Sequence, residues 1–455
     1  MNSCPRCFSR CVSDKRTGAR SPSCTRSDAN GAVPVSQLHS HGSPWRALSH
    51  RNFALFLAGH GISVCGTWMQ SLAQAWLVWR LTHSPFLLGL VEFLNRAPIL
   101  FLGVFAGLAA DRWPRYRLMV IAQMLLMVLA GTLAALTLSG TVTVGWIMGL
   151  AFLQGLVYAL ETPVRQTFMT DLVPRADMPS AIGLNSSMFN SARVIGPSIA
   201  GLLVSQVGEG ICFLINTASF LVILGCLAAM RLPPPQPGAT AGSLGLLREA
   251  FGYAWRTPHA RALLLLALVL SVAAMPYTTL LPVFAAEVLD TGPNGLGLLM
   301  AATGVGALTA ALRLARRSTL LGLKTSIAKA VTLFGSGLLA LALSQTLWLS
   351  MLILVVVGFS MVSSLAGTNT MLQSLAPEGM RGRVVSLYTT ASLGCTIFGS
   401  LLAGSSANYF GAQATAAAGG VLTLIAALIF WRALPAIAKH LQEHQLLPPE
   451  NVPAG

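Results

Sequence analysis

Charge is scarce in this 455-residue chain, where Asp, Glu, Lys and Arg make up 9% of residues against 54% hydrophobic. A soluble domain carries roughly 25% charged residues to keep its surface in water, so most of this chain's outside must face lipid. Lysine is rarest, with Lys15, Lys324, Lys329 and Lys439 the only copies. None follows a glycine, which excludes the Gly-Lys-Ser/Thr loop that cradles nucleotide phosphates. No His precedes a Glu and no Gly-x-Ser-x-Gly elbow occurs, so the zinc-protease and serine-hydrolase patterns are missing too. Nothing here points to an enzyme or requires a cofactor. Aromatics stand at 7% beside 43 glycines, which suits close-packed membrane helices better than the alternating strands of a barrel.

Residues 1–44 contain no apolar stretch of the kind that forms the centre of a secretory signal. They hold Cys4, Cys7, Cys11 and Cys24, but no second regular pair follows Cys4 and Cys7. This segment reads as a disordered basic cytoplasmic tail rather than a metal site. The other cysteines, Cys65, Cys212, Cys226 and Cys395, lie singly in apolar runs and read as small buried hydrophobes.

A membrane helix needs about 20 mostly apolar residues. That rule gives twelve spans, near 53–79, 86–110, 117–138, 144–162, 181–205, 210–230, 261–284, 295–315, 326–344, 347–370, 384–406 and 412–432. The fifth is the most polar, with Asn185, Ser186, Ser187, Asn190, Ser191 and Arg193, and suits a helix facing other helices or water. With the N-terminus inside, 26 of the 29 Lys and Arg residues fall in the N-tail and alternating inner loops; Arg80 is outside, and Arg96 and Arg193 lie within spans. Such a bias is the mark of cytoplasmic loops, so the +15 net charge is a topology signal and not a nucleic-acid footprint. The expected layout is an all-α membrane protein with twelve helices in two six-helix bundles. Residues 45–231 form the first bundle, 232–259 a cytoplasmic linker containing Pro233-Pro234-Pro235, 260–433 the second bundle and 434–455 a cytoplasmic tail.

The halves repeat. A shift of 203 sets Gly155, Thr167, Pro174, Gly196, Gly201 and Gly208 on Gly358, Thr370, Pro377, Gly399, Gly404 and Gly411. A shift of 201 brings Arg112 and Arg115 onto Arg313 and Arg316. Two similar halves about a midplane site are what a rocking transporter requires.

Gly107, Asp111, Arg112, Arg115 and Arg117 mark the junction of spans two and three. The stretch resembles the loop signature of the major facilitator superfamily, which implies a two-bundle transporter fold and a conformational switch at the loop. Leu312 stands where the second half would repeat Asp111, so the switch would be asymmetric. Arg193, Gly196, Pro197 and Gly201 in span five are similar to the Gly-Pro signature of exporters in that superfamily, with Ala200 where a further Gly is usual. Arg51-Asn52-Phe53, Gly66-Thr67-Trp68-Met69-Gln70 and Thr162-Pro163-Val164-Arg165-Gln166 look like the subgroup of the enterobactin exporter and related drug:proton antiporters. In one departure, such antiporters often carry an Arg ahead of Gln-Gly in span four; Leu153-Gln154-Gly155 is present here, but Ala151 occupies the Arg position.

Charges within spans cost about 2.5 to 3.5 kcal/mol each and need a reason. Glu92 and Arg96 lie four apart on one helix face, a candidate coupling pair. Glu161 and Arg165 share that spacing at the expected inner end of span four and read as a gate pair with the Asp111 loop. Arg193 has no sequence-near acid: it can meet an anionic substrate group, cap carbonyls or pair with an acid of another helix. Tyr158, Tyr277, Trp68, Trp76 and Phe189 can line an aromatic cavity or simply pack. With no nucleotide-hydrolysing domain, an ion gradient must supply the energy. The expectation is a monomeric proton-coupled exporter of a small drug, siderophore or metabolite in a bacterial inner membrane, both termini cytoplasmic. Uptake or facilitated passage on the same fold is the alternative.

Overall fold

Backbone N–H and C=O groups in hydrocarbon must pair within their own segment, and the chain meets that demand with helices. The computed structural model describes residues 45–231, 252, 255–315, 322–376 and 380–443. The first half holds α1 (Arg51–Thr82), α2 (Pro85–Arg112), α3 (Arg115–Leu138), α4 (Val144–Asp171), α5 (Met178–Val207) and α6 (Glu209–Ala228). The second holds α7 (Pro258–Val288), α8 (Gly292–Ala315), α9 (Leu323–Leu343), α10 (Leu347–Leu375), α11 (381–410) and α12 (Ala412–Glu443). No strand occurs among the described residues. Ten of the helices are long and apolar enough to cross a bilayer. The exceptions, α1 and α5, are long enough but carry the polar load: His60, Ser63, Thr67 and Gln70 on α1, and the Asn and Ser cluster on α5. Each is packed against other helices, where such groups find protein partners. Asn216 of α6 donates to Gln70 Oε1 at 2.6 Å, and Ser219 donates to Asn216 Oδ1 at 3.1 Å.

Every predicted span is present, and two run on. Helix α4 continues to Asp171 and α12 to Glu443, because a helix leaving the bilayer becomes polar without ceasing to be a helix. Most of the predicted linker lies outside the described residues, as do Pro377 and residues 1–44.

Contacts follow the repeat. Helix α1 packs on α5 and α6, α2 on α4, and α3 on α4 and α6; in the second half α7 packs on α11 and α12, α8 on α10, and α9 on α10 and α12. The bundles meet at two equivalent crossings, α2 with α11 and α5 with α8. Repeat-related glycines occupy equivalent sites. A Cβ added at Gly201 of α5 would stand 2.9 Å from Gly297 Cα of α8, and one at Gly404 of α11 would stand 3.1 Å from Gly89 Cα of α2. Gly208 and Gly411, which end α5 and α11, share φ values of 83° and 84°, a left-handed conformation that glycine adopts without a Cβ clash. Both glycine pairs lie at the same end of the molecule, near the α1–α2 and α7–α8 turns.

Helices α7 and α11 depart from regular α-geometry. In α7, residues Leu270–Ala274 form a π turn whose wide bond runs from Met275 N to Leu270 O at 2.9 Å, just before Pro276. A proline cannot donate to the preceding turn, and a π turn absorbs the mismatch. Its counterpart in α11 is Thr390–Gly394.

The Gly201 crossing predicts that Gly201→Ala lowers the melting temperature of the purified protein by several degrees, from overpacking on the order of 1–3 kcal/mol. Gly225→Ala, where nothing lies within 4 Å, leaves it unchanged. Equal shifts for the two variants would contradict the close approach.

Candidate functional site

Arg96, Arg165 and Arg193 stand mid-helix, and local spacing decides how the first two meet their acids. Arg96 and Glu92, one turn apart on α2, form the expected ion pair. Between them and α4 runs a polar chain: Asn95 Nδ2 donates to Ala151 O and to Gln154 Oε1, each at 3.3 Å, and Gln154 Nε2 donates to Tyr158 Oη at 3.2 Å. Helices α2 and α4 approach so closely here that a side chain at Gly155 would strike the Asn95 carbonyl.

The sequence reading placed Glu161 and Arg165 at the inner end of span four, as a gate with the Asp111 loop. The Asp111 side chain of that gate lies outside the described part. Because α4 continues to Asp171, the pair lies within the helix, bonded internally at 2.8 Å with side chains only 6% and 22% exposed. The acid that reaches the loop is Asp171, at the last residue of α4. Arg115 Nη1 donates to both of its carboxylate oxygens at 2.9 Å. The backbone of α2 reaches Arg112, but the side chains of residues 103–112, including Gly107, Asp111 and Arg112, lie outside the described part, as does Arg316.

Other acids escaped the sequence reading. Asp177, beside the start of α5, meets Arg46 Nε at 3.0 Å and His50 Nε2 at 2.8 Å, tying the residues before α1 to α5. Glu209 pairs with Arg80 at 2.8 Å at the opposite end. The signal available for each was only an acid near a helix terminus. His60 of α1 was also passed over; it is buried, stacks on Phe56 at 5.2 Å, and neither ring nitrogen finds a partner.

Arg193 is central. Gly196, one turn further along α5, lets α1 approach until a Cβ there would stand 2.7 Å from Trp68 Cβ. The Arg193 guanidinium consequently lies over the Trp68 ring at 5.5 Å. Phe189 meets the same ring edge-on at 6.1 Å. On the other side Arg193 Nη2 reaches Met361 Sδ of α10 at 3.8 Å. One side chain of the first bundle therefore touches the second at mid-depth. Of the aromatic candidates, Trp68 and Phe189 gather here, Tyr277 packs on Phe334 at 6.1 Å, Tyr158 joins the α4 polar chain, and Trp76 packs against the apolar core. No cluster of three or more metal-ligating side chains occurs among the described residues.

Two pseudo-symmetric six-helix halves enclosing a mid-depth charged site match one known protein class. A family model described as transmembrane secretion effector matches residues 42–453. The chain belongs to this family of the major facilitator superfamily. It is 27% identical to the staphyloferrin A transporter of Staphylococcus aureus over 84% of this chain and 94% of that one. It is 28% identical to the enterobactin exporter of Shigella boydii over 83% and 90%. Among solved structures, a bacterial homologue of the human lysosomal transporter Spinster, inward-facing and occupied, superposes with a TM-score of 0.66 at 15% identity, over 88% of this chain and 98% of that one. The protein is therefore a multi-pass membrane transporter of small molecules, not an enzyme, as the superfamily resemblance implied.

The two acid pairs of α4 differ in burial. Glu161→Gln leaves Arg165 charged and enclosed, at a cost of about 3–5 kcal/mol, whereas Asp171→Asn opens a pair whose carboxylate is 48% exposed, worth about 1 kcal/mol or less. Thermal unfolding in detergent should show a clearly larger drop for Glu161→Gln. The reverse order would mean that Arg165 is solvated.

Proposed function

We propose that this transporter exports a small organic compound, such as a drug, siderophore or metabolite, from a bacterial cytoplasm by proton antiport. The observation that supports it most is the set Glu92, Arg96 and Arg193, charges kept at mid-helix depth where only solute or proton handling repays their insertion cost. The relative named an exporter favours outward movement.

In this reading the protein is a monomer in the inner membrane with both termini cytoplasmic, the side to which the basic loops then belong. Residues 45–231 and 260–433 are the moving bodies, joined by 232–259 and flanked by tails 1–44 and 434–455. The tight glycine crossings then lie at the outer face, so the state described is closed outward. Glu92 accepts the proton. Its neutralisation releases Arg96, changing the field beside Arg193 without moving the backbone. Gly107, Asp111, Arg112 and Arg115 form the inner latch, with Arg115 held by Asp171 in this state, and Glu161 with Arg165 stiffens the helix behind it. Gly196, Pro197 and Gly201 give α5 the small-residue face on which it rocks against α8.

Inside-out vesicles test direction and coupling together. Acidified within, they should accumulate a substrate found by challenging a deletion strain with toxic compounds and with iron limitation; an uncoupler should abolish uptake. Expulsion of substrate along with protons would establish uptake in the cell instead. Glu92→Gln should flatten the pH dependence of flux, and an unaltered profile removes Glu92 from the coupling path. Asp111→Asn should slow flux while protein remains in the membrane.

A further inference from the structure

Arg193 differs from the mid-helix cations Arg96 and Arg165. Arg96 has Glu92 and Arg165 has Glu161, so each of those sites is close to neutral. No carboxylate among the described residues comes within 4.0 Å of Arg193; its neighbours are an indole face and a thioether. A cation–π contact offsets about 0.5 to 2 kcal/mol, less than the cost of placing the charge there, and sulfur is a weak acceptor. The residue nevertheless stays only half-buried, on the face where the bundles meet.

A second group points to the same place. The hydroxyl of Tyr277, on α7 of the other bundle, is buried and has no hydrogen-bond partner. The Thr303 hydroxyl donates to Leu299 O at 3.0 Å and makes no hydrogen bond of sound geometry with Tyr277. The segment of α7 that begins with Tyr277 packs against α1, the helix whose Trp68 ring lies under Arg193. A donor without an acceptor and a cation without an anion, one from each bundle, lack the same thing.

We propose that Arg193 and Tyr277 form the anion-binding end of the substrate site and that the transported compound carries a carboxylate beside an apolar, preferably aromatic, body. The fork of the guanidinium accepts a carboxylate in two parallel bonds, Tyr277 adds a third donor, and Trp68, Phe189 and Met361 supply the apolar wall. A single negative charge is specified because Arg193, unlike Arg96 and Arg165, has no acid beside it among the described residues: a dianion would strand a charge in the membrane. This assignment rests on the transport reading above and names its substrate class.

The test uses the full-length protein in nanodiscs and three probes of one shape: 2-naphthoate, its neutral carboxamide 2-naphthamide and the cation 2-naphthylmethylammonium. At pH 7.5 the wild type should bind the acid about tenfold more tightly than the amide and exclude the cation. Arg193→Gln should bring acid and amide to equal affinity, Arg193→Lys should keep part of the preference, and Tyr277→Phe should weaken acid binding several-fold while leaving the amide unchanged. Equal affinities in the wild type, or a preference that survives Arg193→Gln, overturns the assignment. Should Arg193→Gln not fold, the wild-type ratio and Tyr277→Phe still decide. Flux of 2-naphthoate and 2-naphthamide in proteoliposomes separates the two readings. Wild-type protein that moves both with no acid preference remains a transporter and loses the carboxylate site. An acid preference without flux of any solute keeps the site and removes the transport reading.

Discussion

A charge taken into hydrocarbon must find a partner or be lost to selection, and the arrangement of this protein follows from how few charges it has to place. Most of the described cations are spent at helix ends, where water reaches them. Those kept inside are tied to an acid on the same helix one turn away, as Arg96 is to Glu92 and Arg165 to Glu161. The i, i+4 arrangement keeps each pair neutral whatever neighbouring helices do. A bundle can then slide past another without exposing an isolated charge. Arg193 breaks the rule, and it does so where the halves meet.

The second constraint is steric. Helices that must stay together in lipid have no hydrophobic drive to associate, so they rely on close backbone contact. Both inter-bundle crossings use glycine facing glycine, Gly201 with Gly297 and Gly89 with Gly404. Contacts without long side chains have little to disengage when one helix moves over the other. Gly201 and Gly404 recur at a spacing of 203 residues, and the equivalence of the two crossings is the structural meaning of that repeat.

The fold was legible because hydropathy and positive charge are written directly in the sequence. The repeat was legible because glycine is needed at fixed positions, such as the left-handed ends at Gly208 and Gly411. The site was legible only in part. Glu92 with Arg96 could be read because partners on one helix are fixed by spacing. Asp171 with Arg115 could not: hydropathy reports where a helix leaves the membrane, not where it ends, and the extra turns of α4 carry Asp171 to the loop. Met361 and Trp68 as the neighbours of Arg193 were likewise hidden, since they belong to three different helices and only packing unites them.

Ala151 shows why a departure from a family pattern need not remove the chemistry. On α4 it is 1% exposed, and its carbonyl accepts from Asn95. One turn along, Gly155 brings the α2 backbone into contact. That face of α4 is committed to α2 and has no room for a long cationic side chain. The residues that touch it from α2 are flanked by Arg96, so a guanidinium stands one helix away from where the superfamily often carries it. Its acid, Glu92, comes with it on the same helix, which places both members of the ion pair on one element. The pair is held beside α4 by the α2–α4 contact, and the absence of a side chain at Gly155 is what permits that contact.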